Sequence, residues 1–197
     1  AGGAMNPELV ASELACTRGL RTLFKALSFT LCGGQVLRIE GGNGVGKTSL
    51  LRLVAGLAWP SDGAVLWRGV AIQAQREAYA RELLYLGHAP ALKDDLSALE
   101  NLHASTTLAG APQAEPALRE ALERWGLATA LRLPVRALSA GQRRRAALAR
   151  TALSDARLWL LDEPFNALDT AACEQLGHSI ERHVERGGLA LITSEVS

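Results

Sequence analysis

Eight residues, Gly41-Gly42-Asn43-Gly44-Val45-Gly46-Lys47-Thr48, carry glycines, a lysine and a hydroxyl at the spacing of a phosphate-binding loop. Glycine admits the positive φ angles and close backbone approach that turn consecutive N–H groups inward onto a phosphate chain. Lys47 supplies a point charge for the β- and γ-phosphates, and the Thr48 hydroxyl a ligand for Mg²⁺. With Ser49 beside them, these residues are expected to hold a nucleoside triphosphate. A second candidate lies far downstream, where the apolar run Leu158-Trp159-Leu160-Leu161 ends in Asp162-Glu163-Pro164. A buried strand would deliver Asp162 to its carboxyl end, where ligands sit in open α/β sheets. Asp162 could there hold Mg²⁺ opposite Thr48. Glu163 could orient and deprotonate a water in line with the γ-phosphate. The bland alternative is an ordinary strand end before a proline turn, which the phosphate loop upstream makes the weaker reading.

These groups need elements to position them. Val36 to Ile39 reads as a buried strand entering the loop, and Thr48 to Gly56 as a helix with Leu50, Leu53, Val54 and Leu57 on one apolar face. The helix N-terminus adds partial positive charge to the anion site. Ahead of the loop, Glu13 to Thr17 and Leu23 to Leu31 read as strands. After it, Trp59 to Gly63 is a turn, and 64–67 with 70–72 form a hairpin around Arg68-Gly69. Leu83 to Gly87 is another short strand. Ser97 to about Arg132 is helical, with Leu118, Leu122 and Trp125 on one face. Strand character returns at 158–161 and 189–193, separated by a helix whose stripe is Cys173, Leu176, Ile180 and Val184. Strands alternating with helices predict an α/β fold with a mostly parallel core sheet, an N-terminal antiparallel β portion and a helical insert.

Bulk properties exclude several classes. The chain has 197 residues, 48% of them hydrophobic, enough for a sizeable core. A net charge of +1 provides no field for steering nucleic acid. The apolar runs are strand-sized, far short of the roughly 20 residues that a membrane-spanning helix needs. The three cysteines are widely spaced without a CxxC pair, which suits free thiols in a reducing, cytosolic setting. Ala1 to Ala4 precede a candidate initiator, Met5, and read as an extraneous leader. The domain is therefore expected to run over 5–197, with a core of about 5–95 and 135–197 and a helical subdomain of about 96–134.

Leu138-Ser139-Ala140-Gly141-Gln142, followed by Arg143 to Arg145 and a helix to about Leu153, resembles the Leu-Ser-Gly-Gly-Gln signature of ATP-binding cassette (ABC) ATPases, with Ala140 for the first glycine. A serine hydroxyl and a glycine N–H at a helix N-terminus suit a phosphate. Ala167-Leu168-Asp169 resembles the family's D-loop. The order of loop, insert, signature, acidic strand and D-loop covers most of the chain. By this resemblance the fold is a P-loop NTPase core of the ABC nucleotide-binding type. Two copies would form a head-to-tail homodimer sandwiching two ATP molecules with Mg²⁺, and Ser139, Gly141, Gln142 and Asp169 would reach the partner's nucleotide. The arginine run reads as a solvated or interface face rather than a nucleic-acid patch.

Within the family, three pieces resemble the haem-exporter type of cytochrome c maturation: 21–24 with 27–31, Leu83 to His88, and Leu96 to Leu102. His88 stands where most cassettes have a glutamine that bridges metal, attacking water and membrane subunit. A satisfied loop histidine is the competing reading. The resemblance implies integral membrane permease partners and a peripheral place on the cytoplasmic face of the bacterial inner membrane. It departs at two points. Thr17-Arg18-Gly19 replaces the usual adenine-stacking aromatic, where Arg18 could stack its guanidinium plane. Glu195 follows 191–194 where a switch histidine is usual, and a carboxylate there would repel a γ-phosphate. Impaired hydrolysis, or an altered C-terminal end, is the expectation. An ATPase for another cargo, a non-catalytic nucleotide-gated scaffold and an ABC protein acting on nucleic acid are the rival readings.

Overall fold

The computed structural model describes residues 6–195; the leader reading for Ala1 to Ala4 and the candidate initiator Met5 lie outside them. In chain order the strands are β1 (Leu9–Arg18), β2 (Arg21–Leu31), β3 (Val36–Glu40), β4 (Asp62–Trp67), β5 (Val70–Ala71), β6 (Leu83–Leu86), β7 (Leu158–Leu161) and β8 (Leu189–Ser194). The helices are α1 (Lys47–Val54), α2 (Arg76–Arg81), α3 (Ala98–Leu108), α4 (Glu115–Arg124), α5 (Ala140–Leu148) and α6 (Thr170–Glu185). The chain divides into two units. Among the described residues the first comprises 6–85, 156–164 and 183–195, and the second Leu86–Asp155 and Phe165–Arg182.

The first unit carries both sheets. One is antiparallel, in the order β2-β1-β4-β5, and the other has the order β3-β8-β7-β6. In the second sheet β8 runs parallel to both β3 and β7. The α/β architecture with an antiparallel N-terminal sheet is the one the sequence predicts. Burial explains the sequence of the central strands. Leu158, Leu160, Leu161, Leu189, Ala190 and Leu191 are all fully buried. A strand covered on both faces reads as a continuous apolar run, not as an alternation. β3 differs from its expectation. It lies at the sheet edge, its exposure alternates residue by residue, and Val36 is 44% exposed. Arg38 and Glu40 occupy the exposed positions, as an edge strand requires. Leu57 departs too. The helix ends at Val54, Gly56 turns the chain at φ +71, and Leu57 is left exposed. The helix α2 and the 3-10 turn before it, Ile72–Gln75, were not foreseen; Tyr79 anchors them by donating its hydroxyl to the Val54 carbonyl at 2.6 Å.

The second unit is helical, and the stretch expected over 96–134 lies within it. Leu118 and Leu122 of α4, with Trp125 just beyond, are buried as one face. Ser97 and Glu100 form a reciprocal capping box at the start of α3, each satisfying the other's backbone N–H. Asn101 fastens the preceding loop, accepting from the Lys93 N–H at 2.8 Å and donating to the Lys93 and Ser97 carbonyls at 3.0 Å. Leu176 and Ile180 are buried on α6. None of the three cysteines is in a disulfide; Cys16 is buried and Cys32 and Cys173 are half-buried.

Candidate active site

In the first unit the loop 41–46 connects β3 to α1. Gly46 caps the helix at φ +106, a conformation costly to any residue with a side chain. A Cβ there would stand 3.1 Å from Leu23 Cβ and from Phe24 Cδ1 of β2, so the backbone must approach that strand closely. Positions 42–45 are exposed, while Lys47 and Ser49 are buried. The Lys47 ammonium donates to the carbonyls of Gly41 (2.5 Å) and Gly42 (3.1 Å) and lies 3.3 Å from Glu163 Oε1. Two buried opposite charges compensate one another where either alone would be costly.

Around Asp162 a tight polar constellation forms. Asp162 is completely buried at the end of β7. The Thr48 hydroxyl donates to its Oδ2 and the Thr193 hydroxyl to its Oδ1, both at 2.7 Å. The Thr193 oxygen in turn accepts from the Glu163 N–H at 2.9 Å. Thr193 thus spans both acidic residues from β8. A threonine in a β-run is an ordinary strand former, so its type and position carried no signal of this role. Glu163 has φ +46, an unusual left-handed backbone for a residue with a side chain. Such conformations persist where surrounding bonds hold them, and they cluster at functional sites. Tyr85 was also missed. Its phenol pKa is raised, first by burial and then by the charge of Asp162.

Thr48 and Asp162 present a hydroxyl and a carboxylate oxygen close together, the hard donors that Mg²⁺ takes. Among the described residues no group of three or more His, Cys, Asp or Glu could hold a metal.

The second unit contains the other predicted residues. Ser139 caps α5, its oxygen accepting from the Gln142 N–H at 3.1 Å while the Gln142 side chain accepts from the Ser139 N–H at 2.9 Å. Both signature side chains therefore hold the helix terminus, which Ser139 leaves exposed. Ala140, in the first helical position, follows normal right-handed geometry, so its methyl group is accommodated there. A Cβ on Gly141 would stand 3.3 Å from the Ala167 carbonyl, packing the signature against the D-loop of the same chain. Asp169 accepts from the Ala172 N–H at 2.9 Å and pairs with Arg145. The Ala172 N–H, and then the Arg145 charge, hold its carboxyl below the usual range. His88 is exposed in the bend after β6.

The solvated reading of the arginine run needs correction. Arg144 is 5% exposed and donates to the Gly87 and His88 carbonyls. Arg143 donates to the carbonyls of Leu138 and Arg136. Successive residues on a helix point about 100° apart, so three adjacent arginines cannot share one environment. The structure thus brings Lys47, Thr48, Asp162 and Glu163 together in the first unit. His88, Ser139, Gly141, Gln142 and Asp169 belong to the second. Glu195 follows β8 and is exposed.

Comparison with known proteins identifies the family. Residues 24–166 match the family model described as ABC transporter. The cytochrome c biogenesis ATP-binding export protein CcmA of Methylococcus capsulatus is 50% identical over 94% of this chain and 90% of its own length. The protein of the same name from Aromatoleum aromaticum is 51% identical, over 95% of this chain and 88% of its own. Among solved structures, a dimeric post-hydrolysis ATP-binding cassette bound to ADP and Pi superposes with a TM-score of 0.83 at 20% identity, over 94% of this chain and 87% of that one. That likeness carries the fold, and the relatives and the family model carry the rest: the chain belongs to the ABC transporter family, as an ATP-binding ATPase cassette.

Proposed function

We propose that the chain is the ATPase subunit of an exporter serving cytochrome c maturation, with haem as the cargo that its membrane partners handle. The observation that carries the chemistry is the exposed Thr48 bonded to buried Asp162, with buried Thr193 and Glu163 beside Lys47. Lys47, the loop N–H groups and the N-terminus of α1 bind the phosphate chain and neutralise its charge. Thr48 and Asp162 would hold Mg²⁺, which would supply further charge neutralisation at the phosphates. Glu163, its backbone fixed by Thr193, takes a proton from water attacking the γ-phosphate, giving ADP and phosphate. Ser139 and Gly141, at the exposed start of α5, act on the nucleotide of a second copy in a head-to-tail dimer. His88 takes the place that glutamine fills in most cassettes, and Asp169 orders the D-loop at the dimer contact.

The cargo and pathway rest on the names of relatives at about 50% identity over nearly the whole chain and on the Gly87-His88 pair. Closing and opening of the dimer would drive integral permease subunits. Among the described residues no helix is long and apolar enough to cross a membrane, consistent with a peripheral place on the cytoplasmic face of the inner membrane. The test is complementation: the chain should restore holo-cytochrome c in a bacterium lacking its own subunit of this exporter, and Glu163→Gln should not. Purified complex that hydrolyses ATP while complementation fails would keep the ATPase and discard the haem pathway.

A further inference from the structure

We propose that Arg144 is a positioning residue that fixes His88 to the signature helix, so that α5 and the bend after β6 move as one piece. The proposal rests on the reading in which His88 takes part in turnover. Of the three consecutive arginines on α5, Arg144 is the one turned inward, with 5% of its surface exposed. Its Nη1 donates to two successive carbonyls, Gly87 at 3.0 Å and His88 at 3.1 Å. Backbone carbonyls in a bend have no strand partner by default, and those near a buried charged donor take a strong bond from it.

Arginine suits this work better than lysine. Its guanidinium is planar, permanently charged and weakly hydrated, so burial does not neutralise it and its direction is fixed. The same helix begins at Ser139, whose capping box with Gln142 orders the signature terminus. One short, rigid element therefore carries the signature at its start and the anchor of His88 a turn further on. Any displacement of the signature terminus along the helix axis is passed to the backbone of His88 through two hydrogen bonds. The exposed His88 side chain has its backbone set from beneath by a residue that needs no contact with nucleotide.

The test is a double-mutant cycle on ATP turnover by the chain in its membrane complex, with Arg144→Met, Arg144→Lys, His88→Ala and the two combinations. Thermal melting verifies that each variant is folded. Arg144→Met should lower kcat about tenfold with KM for ATP within about twofold, the signature of an interaction that matters in the transition state rather than in binding. Arg144→Lys, which keeps a charged donor without the planar fork, should retain more of the rate. In the His88→Ala background both substitutions should lose their effect on kcat, because residues acting through one another are non-additive. If Arg144→Met fails to fold, the Lys variant completes the cycle. Equal losses with and without His88, or a raised KM at unchanged kcat, would overturn the positioning role and leave the ATPase intact. A silent His88→Ala would overturn it together with the assignment of His88, and a wild-type complex without turnover would remove the ATPase reading itself.

Discussion

Asp162 in the first unit is bound to Thr48, 114 residues away in sequence, and to Thr193, 31 residues away, and has no exposed surface. Ser139 in the second unit is bound to Gln142, three residues on, at an exposed helix terminus. The first arrangement exists only when β7, β8 and α1 are all in place; the second can form as soon as α5 winds its first turn. Buried bonds to a carboxylate are worth about 1.5–3 kcal/mol each, and an exposed cap about 1 kcal/mol. The phosphate half is thus set by the fold, whereas the signature half is made locally and turned outward. The proposed head-to-tail dimer would use both: one side preorganised around charge, the other an accessible terminus.

The comparison breaks most readily at Lys47. Lys47→Ala should abolish nucleotide binding and lower turnover about a thousandfold or more, because a preorganised charge on the transferring phosphoryl group is lost. Calorimetric ATP binding and phosphate release check this, and retained binding would move the phosphate site elsewhere. Glu163→Gln should keep ATP bound but slow turnover by about 10²–10⁴-fold, the range of a lost general base. Intact turnover would remove Glu163 from that role.

The contrast between buried and local bonding is sharpened by two substitutions measured side by side in urea. Thr193→Val strips a donor from Asp162 and an acceptor from the Glu163 N–H, and should cost about 1–3 kcal/mol. Ser139→Ala removes a cap and should cost about 1 kcal/mol. Equal costs would erase the distinction between the halves. Glu195→His should raise turnover several-fold by replacing a repelling carboxylate with a donor near the γ-phosphate, worth about 1 kcal/mol of barrier. Unchanged turnover would show that the residue after β8 does not face the nucleotide.

The smallest effect concerns acid. The Asp169 carboxyl titrates below its ordinary 3.8, held there by the Ala172 N–H and by Arg145. A depressed carboxyl contributes stability above its unfolded value, and that contribution disappears as pH falls through the folded one. Asp169→Asn should therefore flatten the stability curve just below pH 3.8 and leave that slope unchanged at neutrality. A slope unaltered by the substitution would mean that the D-loop aspartate is not held in place by these partners.

What sequence reading could and could not recover follows the same division. Lys47, Thr48, Asp162 and Glu163 were legible because their chemistry forces both residue type and spacing. The central strands were legible because burial on both faces leaves an unbroken apolar run. Thr193 was not, since its type suits any strand and its partners are distant in the chain. Arg144 was read outward because composition reports charge and not direction; only the phase of α5 tells which arginine turns in. The edge position of β3 was hidden because a loop-feeding strand is commonly central, and only the pairing order shows that among the described strands it pairs with β8 alone. The short helix α2 has too few turns for an apolar stripe to emerge.

The close approach of the loop to β2 has a consequence for how this sequence can drift. Gly44 and Gly46 both have positive φ, +76 and +106. A methyl group on Gly44 would project into open space, whereas on Gly46 it would meet Leu23 and Phe24. In a saturation library selected for folding alone, Gly44 should admit asparagine, which tolerates the left-handed region, while Gly46 should admit nothing without a compensating change in β2. Leu23 and Phe24 then limit which phosphate loops the fold accepts, so a loop borrowed from a distant cassette would fit here only together with the strand that backs it.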